Sequence, residues 1–183
     1  MLGAQDVMAA VAQALRAHEA PKIVLDTVMV AKSGDRLMPD DAVAFFKEEL
    51  LPLADVITPN LPEASVLLGH NVRDMKDMYA AAQELWDMCG GKTAVYLKGG
   101  HSVEETLRDV FYDGKAFIDL DGPRVHTKNT HGTGCSLSSA IAALWARTED
   151  LPQAVRLARR YIEEAITASD DLTVGSGETR FLS

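Results

Sequence analysis

Apolar positions along the chain alternate between helical spacing and short uninterrupted runs. An apolar stripe with a four-residue repeat extends from Val7 to Leu15 and predicts an opening helix, which must end before Pro21 because proline cannot continue it. The next run, Lys22–Asp26, is centred on apolar, β-branched residues without alternation. That pattern is typical of a strand buried on both faces of a parallel sheet, so we expect Asp26 at the C-terminal end of the first strand.

The same alternation continues along most of the chain. Helices are predicted over about Asp40–Leu50, from Leu61, over about Met75–Cys89, over Cys135–Ala146 and over Pro152–Ala168, and strands over Asp55–Ile57 and Thr93–Lys98. Asp113-Gly114 separates two further extended runs, Arg108–Tyr112 and Ala116–Leu120, and Asp-Gly in this setting is a strong signal for a β-hairpin. The glycine-containing tail, Val174–Ser183, is predicted to form a loop.

Strands that alternate with helices and then give way to a hairpin predict an α/β fold. We expect an open, mostly parallel sheet with helices on both faces and a late antiparallel hairpin. Ligands of such sheets bind beyond the carboxyl ends of the strands, and four polar or glycine positions are predicted there: Asp26, Asn60, Lys98 and Gly132. No internal repeat or Gly/Ser-rich linker divides the chain, so residues 1–183 are predicted to form a single domain.

Composition narrows the class of partner. The hydrophobic content of 47% is enough for a packed core, which argues against a disordered chain. The net charge is −9, and lysine and arginine are not clustered on one face. A small molecule is therefore a better candidate partner than a nucleic acid or a membrane surface. No secretion signal or apolar run of membrane-spanning length is evident, so we expect a cytoplasmic protein, in which Cys89 and Cys135 both stay reduced.

The most informative segment is the loop Asn129–Ser138, which is polar, rich in glycine and followed at once by an apolar helix. Free backbone N–H groups and the positive end of a helix dipole form an anion site at such a helix start. Cys135 falls in the first turn, a location that lowers a thiol pKa and favours a proton-accepting thiolate. The alternative is a glycine-rich helix cap with a small buried cysteine. The segment lacks the Lys-Ser/Thr ending of a Walker loop.

Two further positions allow a structural and a functional interpretation. Asn60 and Glu63 have the spacing of a capping box at a helix start. Lys98 ends a buried strand before Gly99-Gly100, so its ammonium could extend over a phosphate while the glycines leave room for a nucleotide. A solvated lysine at the end of a strand is the alternative.

The glycine-rich loop, Asn129-Thr130-His131-Gly132-Thr133-Gly134-Cys135, closely resembles the anion-hole signature of the hydroxymethylpyrimidine/phosphomethylpyrimidine kinases of the ribokinase superfamily. Four further stretches agree with that family in order and approximate spacing: Met1-Leu2-Gly3, Val24–Gly34, Ile57–Ala64 and Leu97–His101. The resemblance extends from residue 1 to about residue 175 and implies a ribokinase-like fold.

The resemblance also implies a function and a set of site residues. The implied activity is ATP-dependent phosphorylation of hydroxymethylpyrimidine and its monophosphate in thiamine biosynthesis, by a homodimer that uses Mg²⁺. Cys135 would deprotonate the acceptor hydroxyl while the backbone of Gly132, Thr133 and Gly134 holds the transferring phosphoryl group. The remaining expected contacts are Lys98, Gly99, Gly100 and Thr130 with the nucleotide, Asp26, Asn60 and Glu63 with Mg²⁺, and Met1 and Val28 with the pyrimidine.

The chain departs from the family pattern at three places. Thr27 stands where the family usually has proline, and Gly177–Ser183 differs from the family's Gly-Pro-rich ending. The sequence also begins at the family's Met-Leu-Gly loop, so we expect the family's opening segment, with much of the acceptor site, to be missing. Two alternatives therefore stay open beside the pyrimidine kinase: a cysteine-containing pyridoxal kinase, and a catalytically silent nucleotide-binding or assembly module.

Overall fold

A computed structural model describes residues 2–31, 35–100, 106–125, 127 and 129–169. The predicted alternation of elements is confirmed. The helices are α1 (Gln5–Ala17), α2 (Asp40–Phe45), α3 (Leu61–Leu68), α4 (Met75–Met88), α5 (Thr133–Thr148) and α6 (Leu151–Ala168), and the strands are β1 (Val24–Leu25), β2 (Val56–Ile57), β3 (Ala94–Leu97), β4 (Thr106–Tyr112) and β5 (Phe117–Pro123). The predicted terminal loop, Val174–Ser183, lies outside the described residues.

The five strands form one sheet in sequential order. β1, β2 and β3 pair in parallel, whereas β4 pairs antiparallel with both β3 and β5. Four strands therefore point the same way, which confirms a mostly parallel sheet with a late antiparallel hairpin. The hairpin turns at Asp113, whose Oδ1 accepts hydrogen bonds from the backbone N–H groups of Lys115 and Ala116, and at Gly114, whose φ of 81° falls in the left-handed region.

Helices cover both faces of the sheet, because successive strand residues point to opposite sides. On one face, Ile57, Val95 and Leu97 belong to a core with the buried residues of α1 to α4. On the other face, Val56, Ala94, Tyr96, Phe111 and Leu120 pack with buried residues of α5 and α6. The outcome is a three-layer α/β/α arrangement whose central strands are buried from both sides.

Two elements differ from the prediction in extent. β1 covers two residues rather than the expected five, because among the described residues it pairs only with β2; the carbonyl of Ile23, just before it, still accepts from the N–H groups of Asp55 and Val56. The helix predicted over Asp40–Leu50 is α-helical only to Phe45 and continues as a π-helical turn, Phe46–Leu50. A 3₁₀ turn containing Pro52 follows, since proline cannot donate the next helical hydrogen bond.

Among the described residues, no helix combines the length and the apolar content that crossing a bilayer requires.

Candidate active site

Three predicted site residues meet at the carboxyl edge of the parallel strands. Asp26 follows β1, Asn60 follows β2 and Lys98 follows β3, and Asn60 forms a parallel bridge with Lys98. Lys98 Nζ lies 3.3 Å from Asp26 Oδ1 and 3.9 Å from Glu63 Oε2. The predicted convergence of Asp26, Glu63 and Lys98 on one crevice is confirmed. One ammonium group therefore lies between two carboxylates.

Glu63 is held at the start of α3 by the predicted capping box. Its backbone N–H donates to Asn60 Oδ1 at 2.8 Å, and its Oε2 accepts from the Asn60 N–H at 2.9 Å. Oε2 also accepts from the hydroxyl of Thr27 at 3.2 Å. Burial, at 3% exposure, raises the pKa of Glu63 above 4.5, and the Lys98 charge and the Asn60 N–H act against that rise. The cap and the approach of Glu63 to Lys98 coexist, so the structural interpretation does not exclude the functional one.

Asp26 is positioned by buried hydroxyl groups that the sequence interpretation missed. Its Oδ1 accepts from Thr58 Oγ1 at 3.1 Å as well as from Lys98. Thr58 Oγ1 lies 2.8 Å from Ser138 Oγ, which contacts the Gly134 carbonyl oxygen at 3.1 Å. Thr58 is fully buried just after β2, and a threonine two residues before the predicted site residue Asn60 was the available signal. Nothing in the local pattern of α5 singled out Ser138.

The glycine-rich loop places the N-terminus of α5 close to Lys98. Gly132 is the N-cap residue, with a left-handed φ of 86°, and as a glycine it has no side chain that could cap the helix. A Cβ on Gly134 would lie 3.3 Å from Lys98 Nζ, so the first turn of α5 approaches the ammonium group closely. Thr133 Oγ1 donates to the carbonyl of Thr130 at 3.0 Å, which stabilises the turn into the helix. The positive end of the helix dipole and the lysine charge therefore lie at the same point, beside the two carboxylates.

Cys135 lies in the first turn of α5, as predicted, and its side chain is exposed, but the expected low pKa is wrong. Partial burial, the negative charge of Asp26 and a hydrogen bond to that carboxylate raise the pKa of the thiol. Lys98 acts in the opposite direction without reversing the sign. The raised pKa favours a thiol at Cys135 over a preformed thiolate.

The other predicted site residues have more varied surroundings. Gly99 is required by packing, because a Cβ there would lie 1.8 Å from the carbonyl oxygen of Arg108 on β4. Gly100 is exposed and has open space around the position of a Cβ. Val28 is half-buried beyond the end of β1. Met1 lies outside the described residues.

Comparison with known sequences finds one family and close relatives within it. The family described as phosphomethylpyrimidine kinase matches residues 1–181. The hydroxymethylpyrimidine/phosphomethylpyrimidine kinase of Rhizobium meliloti (strain 1021) is 44% identical over 178 residues, and the protein of that name from Escherichia coli (strain K12) is 42% identical over 179 residues. Each alignment covers 97% of this chain and 66% of the relative. The chain thus spans just under two thirds of the length of these relatives.

Solved structures of similar fold are vitamin kinases. A pyridoxal kinase from Staphylococcus aureus superposes with a TM-score of 0.86 at 28% identity, covering 100% of this chain and 65% of that one. An ADP complex of Bacillus subtilis pyridoxal kinase gives 0.82 at 31% identity, covering 98% and 66%. A phosphomethylpyrimidine kinase from Clostridium difficile 630 gives 0.76 at 31% identity, covering 91% and 66%.

Proposed function

Because the chain belongs to the phosphomethylpyrimidine kinase family, we propose that it transfers a phosphoryl group from ATP to hydroxymethylpyrimidine and to its monophosphate, in thiamine biosynthesis. The observation that carries the proposal is the position of the Lys98 ammonium, which lies between two carboxylates and beside the glycine-rich start of α5. Phosphoryl transfer needs this kind of positioning and charge stabilisation more than it needs covalent chemistry from the protein.

In this proposal the positive side of the site binds phosphate oxygens. The Lys98 ammonium and the backbone N–H groups of Gly132, Thr133 and Gly134 neutralise charge on the transferring phosphoryl group. Open space around Gly132 leaves an approach to the backbone from outside. We propose that the rest of the nucleotide contacts Thr130, Gly99 and Gly100. The contact with Gly99 would be to its backbone, and β4 leaves no room for a side chain at that position.

The negative side of the site fits Mg²⁺ bound together with nucleotide phosphates. The described residues contain no cluster of three or more histidine, cysteine or acidic side chains that could hold a metal ion by themselves. Two carboxylates close to the phosphate-binding groups suit Mg²⁺, which keeps several waters and takes one or two protein carboxylates. Asp26 and Glu63 would hold the ion, with Asn60 keeping Glu63 in place through the capping box. The ion would supply charge neutralisation between the phosphates.

Cys135 is proposed to accept the proton of the acceptor hydroxyl. Two of the three causes that raise its pKa come from Asp26, namely charge and hydrogen bonding. Neutralising the Asp26 carboxylate in the loaded site therefore lowers the pKa of Cys135 toward the range in which a thiolate accepts a proton. Val28 and Met1 are proposed to line the pyrimidine. We also propose a single-domain, cytoplasmic protein that forms a homodimer.

A direct assay tests the proposal. The chain, joined at its N-terminus to the opening segment of a phosphomethylpyrimidine kinase, is incubated with ATP, Mg²⁺ and hydroxymethylpyrimidine, and the monophosphate and diphosphate are detected by mass spectrometry. We expect both products, and we expect Cys135→Ala to lower kcat by about 10²–10⁴-fold with nearly unchanged ATP affinity, because the anion contacts come from the backbone. Cys135→Asp should retain more activity than Cys135→Ala.

The same assay separates the alternatives. Pyridoxal replaces hydroxymethylpyrimidine in a parallel reaction, since several structurally similar proteins are named pyridoxal kinases. Faster turnover of pyridoxal would assign the chain to that second activity. ATP binding with no transfer to either acceptor would overturn the kinase proposal in favour of a silent nucleotide-binding module.

A further inference from the structure

A buried carboxylate on β4 lies directly behind the Lys98 loop. Asp109 Oδ1 accepts a hydrogen bond from the backbone N–H of Gly99 at 2.8 Å, and its Oδ2 accepts from the hydroxyl of Tyr96 at 2.9 Å. Arg159 Nε, on α6, lies 3.2 Å from Oδ2 as an ion pair. Asp109 therefore connects the sheet and a helix of the second layer to the residue that follows Lys98.

The backbone around Lys98 is consequently held from both sides. The N–H of Lys98 donates to the carbonyl of Pro59 at 2.8 Å, and the next N–H, that of Gly99, is bound by Asp109. Gly99 also packs so closely on β4 that a Cβ would lie 1.8 Å from the Arg108 carbonyl oxygen. With the backbone fixed at both peptide groups, the direction in which the Lys98 side chain leaves the strand is fixed as well.

Burying the charged groups of Asp109 and Arg159 costs free energy of folding, so their presence suggests a specific role. Burial raises the pKa of Asp109, and the charge of Arg159 and the Gly99 N–H oppose that rise. Arg159 is itself largely buried, with a second ion pair to Glu163 at 3.3 Å, and Gly122 makes room for it because a Cβ there would lie 2.6 Å from Arg159 Nη2. Apolar residues of similar volume in place of a buried ion pair are often neutral or stabilising. What an apolar pair could not do is accept the hydrogen bond of Gly99.

We propose that Asp109, neutralised by Arg159, is a positioning residue that aims Lys98 at the phosphate site by fixing the amide of Gly99. The inference rests on the proposed kinase function for its consequence in catalysis, but the fixing of Gly99 and Lys98 is a property of the unliganded chain.

The test compares Asp109→Ala with Asp109→Asn and with Tyr96→Phe. Asparagine keeps an acceptor oxygen for the Gly99 N–H, whereas Tyr96→Phe removes the other hydrogen bond to Asp109 and leaves Gly99 untouched, so it is the matched control. Amide exchange at Gly99 and the NMR signal of the ¹⁵N-labelled Lys98 ammonium are measured without nucleotide, followed by steady-state kinetics with ATP and hydroxymethylpyrimidine.

We expect Asp109→Ala to speed Gly99 exchange by about 10- to 100-fold, as loss of a charge-assisted hydrogen bond implies, and to shift the Lys98 signal. It should also lower kcat by about tenfold or more with a smaller change in KM for the acceptor, because Lys98 is needed most where charge develops. Asp109→Asn should have Gly99 exchange, a Lys98 signal and a kcat close to those of the native chain. Tyr96→Phe should leave all three unchanged. If Asp109→Ala does not fold, the double variant Asp109→Leu/Arg159→Met removes the same acceptor with apolar packing in place of the ion pair.

The outcomes separate this inference from the proposed function. Unchanged Gly99 exchange and Lys98 signal in Asp109→Ala would overturn the inference, whatever the activity. Equal loss of kcat in Asp109→Ala and Tyr96→Phe would also overturn it, since a general loss of stability would then explain both. The predicted exchange and ammonium shifts in a chain that phosphorylates neither acceptor would support the inference and reject the kinase proposal.

Discussion

Cys135 illustrates how a single residue depends on distant partners. Its place in the first turn of α5 can be predicted from the sequence, and a helix N-terminus by itself lowers a thiol pKa. The pKa is nevertheless raised, first by partial burial of the thiol and then by the negative charge of Asp26, which the fold brings near from the end of β1. The local sequence pattern predicts the helix start, and with it the effect of the helix dipole. It does not predict that a carboxylate from another strand lies near the thiol. For the same reason Thr58 and Ser138, which connect Asp26 to α5, could not be assigned to the site from sequence spacing.

The influence of Asp26 on Cys135 can be measured without any substrate. We expect Asp26→Asn to lower the pKa of Cys135, because it removes the negative charge and weakens the hydrogen bond that hold the proton on sulfur. The measurement is the pH dependence of alkylation by iodoacetamide in a Cys89→Ala background, where Cys135 is the remaining cysteine. Exposed Glu48→Gln is the control for a general loss of negative charge. An unchanged or higher Cys135 pKa in Asp26→Asn would contradict the described contact.

Glu63 predicts a pH dependence of stability with a definite sign. Its pKa is higher in the folded chain than the ordinary 4.5, so the folded state binds this proton more tightly than the unfolded state. The stability contribution of Glu63 therefore falls as pH rises from about the ordinary glutamate range through the raised value. Glu63→Gln should gain stability relative to the native chain at neutral pH and lose that advantage below the ordinary pKa. Urea unfolding over this pH range measures it, and a constant difference at all pH values would be inconsistent with a buried, destabilised carboxylate.

At the scale of secondary structure elements, the helices were predicted more accurately than the strands. Apolar stripes at helical spacing explain this success, and the capping box predicted at Asn60 is present. Asp74 and Asp150, which the sequence analysis did not single out, also accept a backbone N–H at a helix start. The extent of β1 could not be predicted in the same way, because a strand is defined by its partner rather than by its own residues. The π-helical turn Phe46–Leu50 likewise has no signature in the spacing of apolar residues.

The start of α5 gives a prediction at this scale. Gly132 and Gly69 both have a left-handed φ, 86° and 77°, and both have open space where a Cβ would be. Gly132→Ala and Gly69→Ala should therefore each cost about 1 kcal/mol of stability through backbone strain alone. Only Gly132→Ala should also weaken ATP binding, because Gly69 ends α3 away from the α5 loop. Thermal unfolding and ATP titration of the two variants check this. Equal losses of ATP affinity would show that the start of α5 has no specific role in ATP binding.

At the scale of the whole molecule, the open, mostly parallel α/β sheet was predicted from the order of its elements, and the ribokinase-like fold from the resemblance of its motifs to a family. The structure and its relatives confirm both. The carboxyl edge of the parallel strands was also predicted as the site, because parallel strands bring their ends together whatever residues follow them. The packing that supports that edge was not predictable. Asp109 on β4 and Arg159 on α6 meet only because α6 packs against the sheet where β4 lies. Neither position stands out in the sequence.

The two helical layers share one sheet, so they should unfold together. The chain has two tryptophans, and each reports on a different layer: Trp86 packs against the core of α1 to α4, and Trp145 against the core of α5 and α6. Trp86→Phe and Trp145→Phe leave one reporter each, and their fluorescence midpoints in urea should coincide with each other and with the loss of helical circular dichroism. Separate midpoints for the two layers would be evidence against a single cooperative domain.

The central claim is that nucleotide phosphates bind where Lys98 meets the start of α5, and calorimetric titration of ATP with Mg²⁺ tests it most directly. Lys98→Met is compared with Lys92→Met, which removes an exposed lysine just before the opposite end of β3. The account predicts that the native chain and Lys92→Met bind ATP equally, while Lys98→Met loses about tenfold or more in affinity, as removal of a charged hydrogen-bond donor implies. Equal ATP affinity in Lys98→Met and Lys92→Met, or no binding by the native chain, would contradict it.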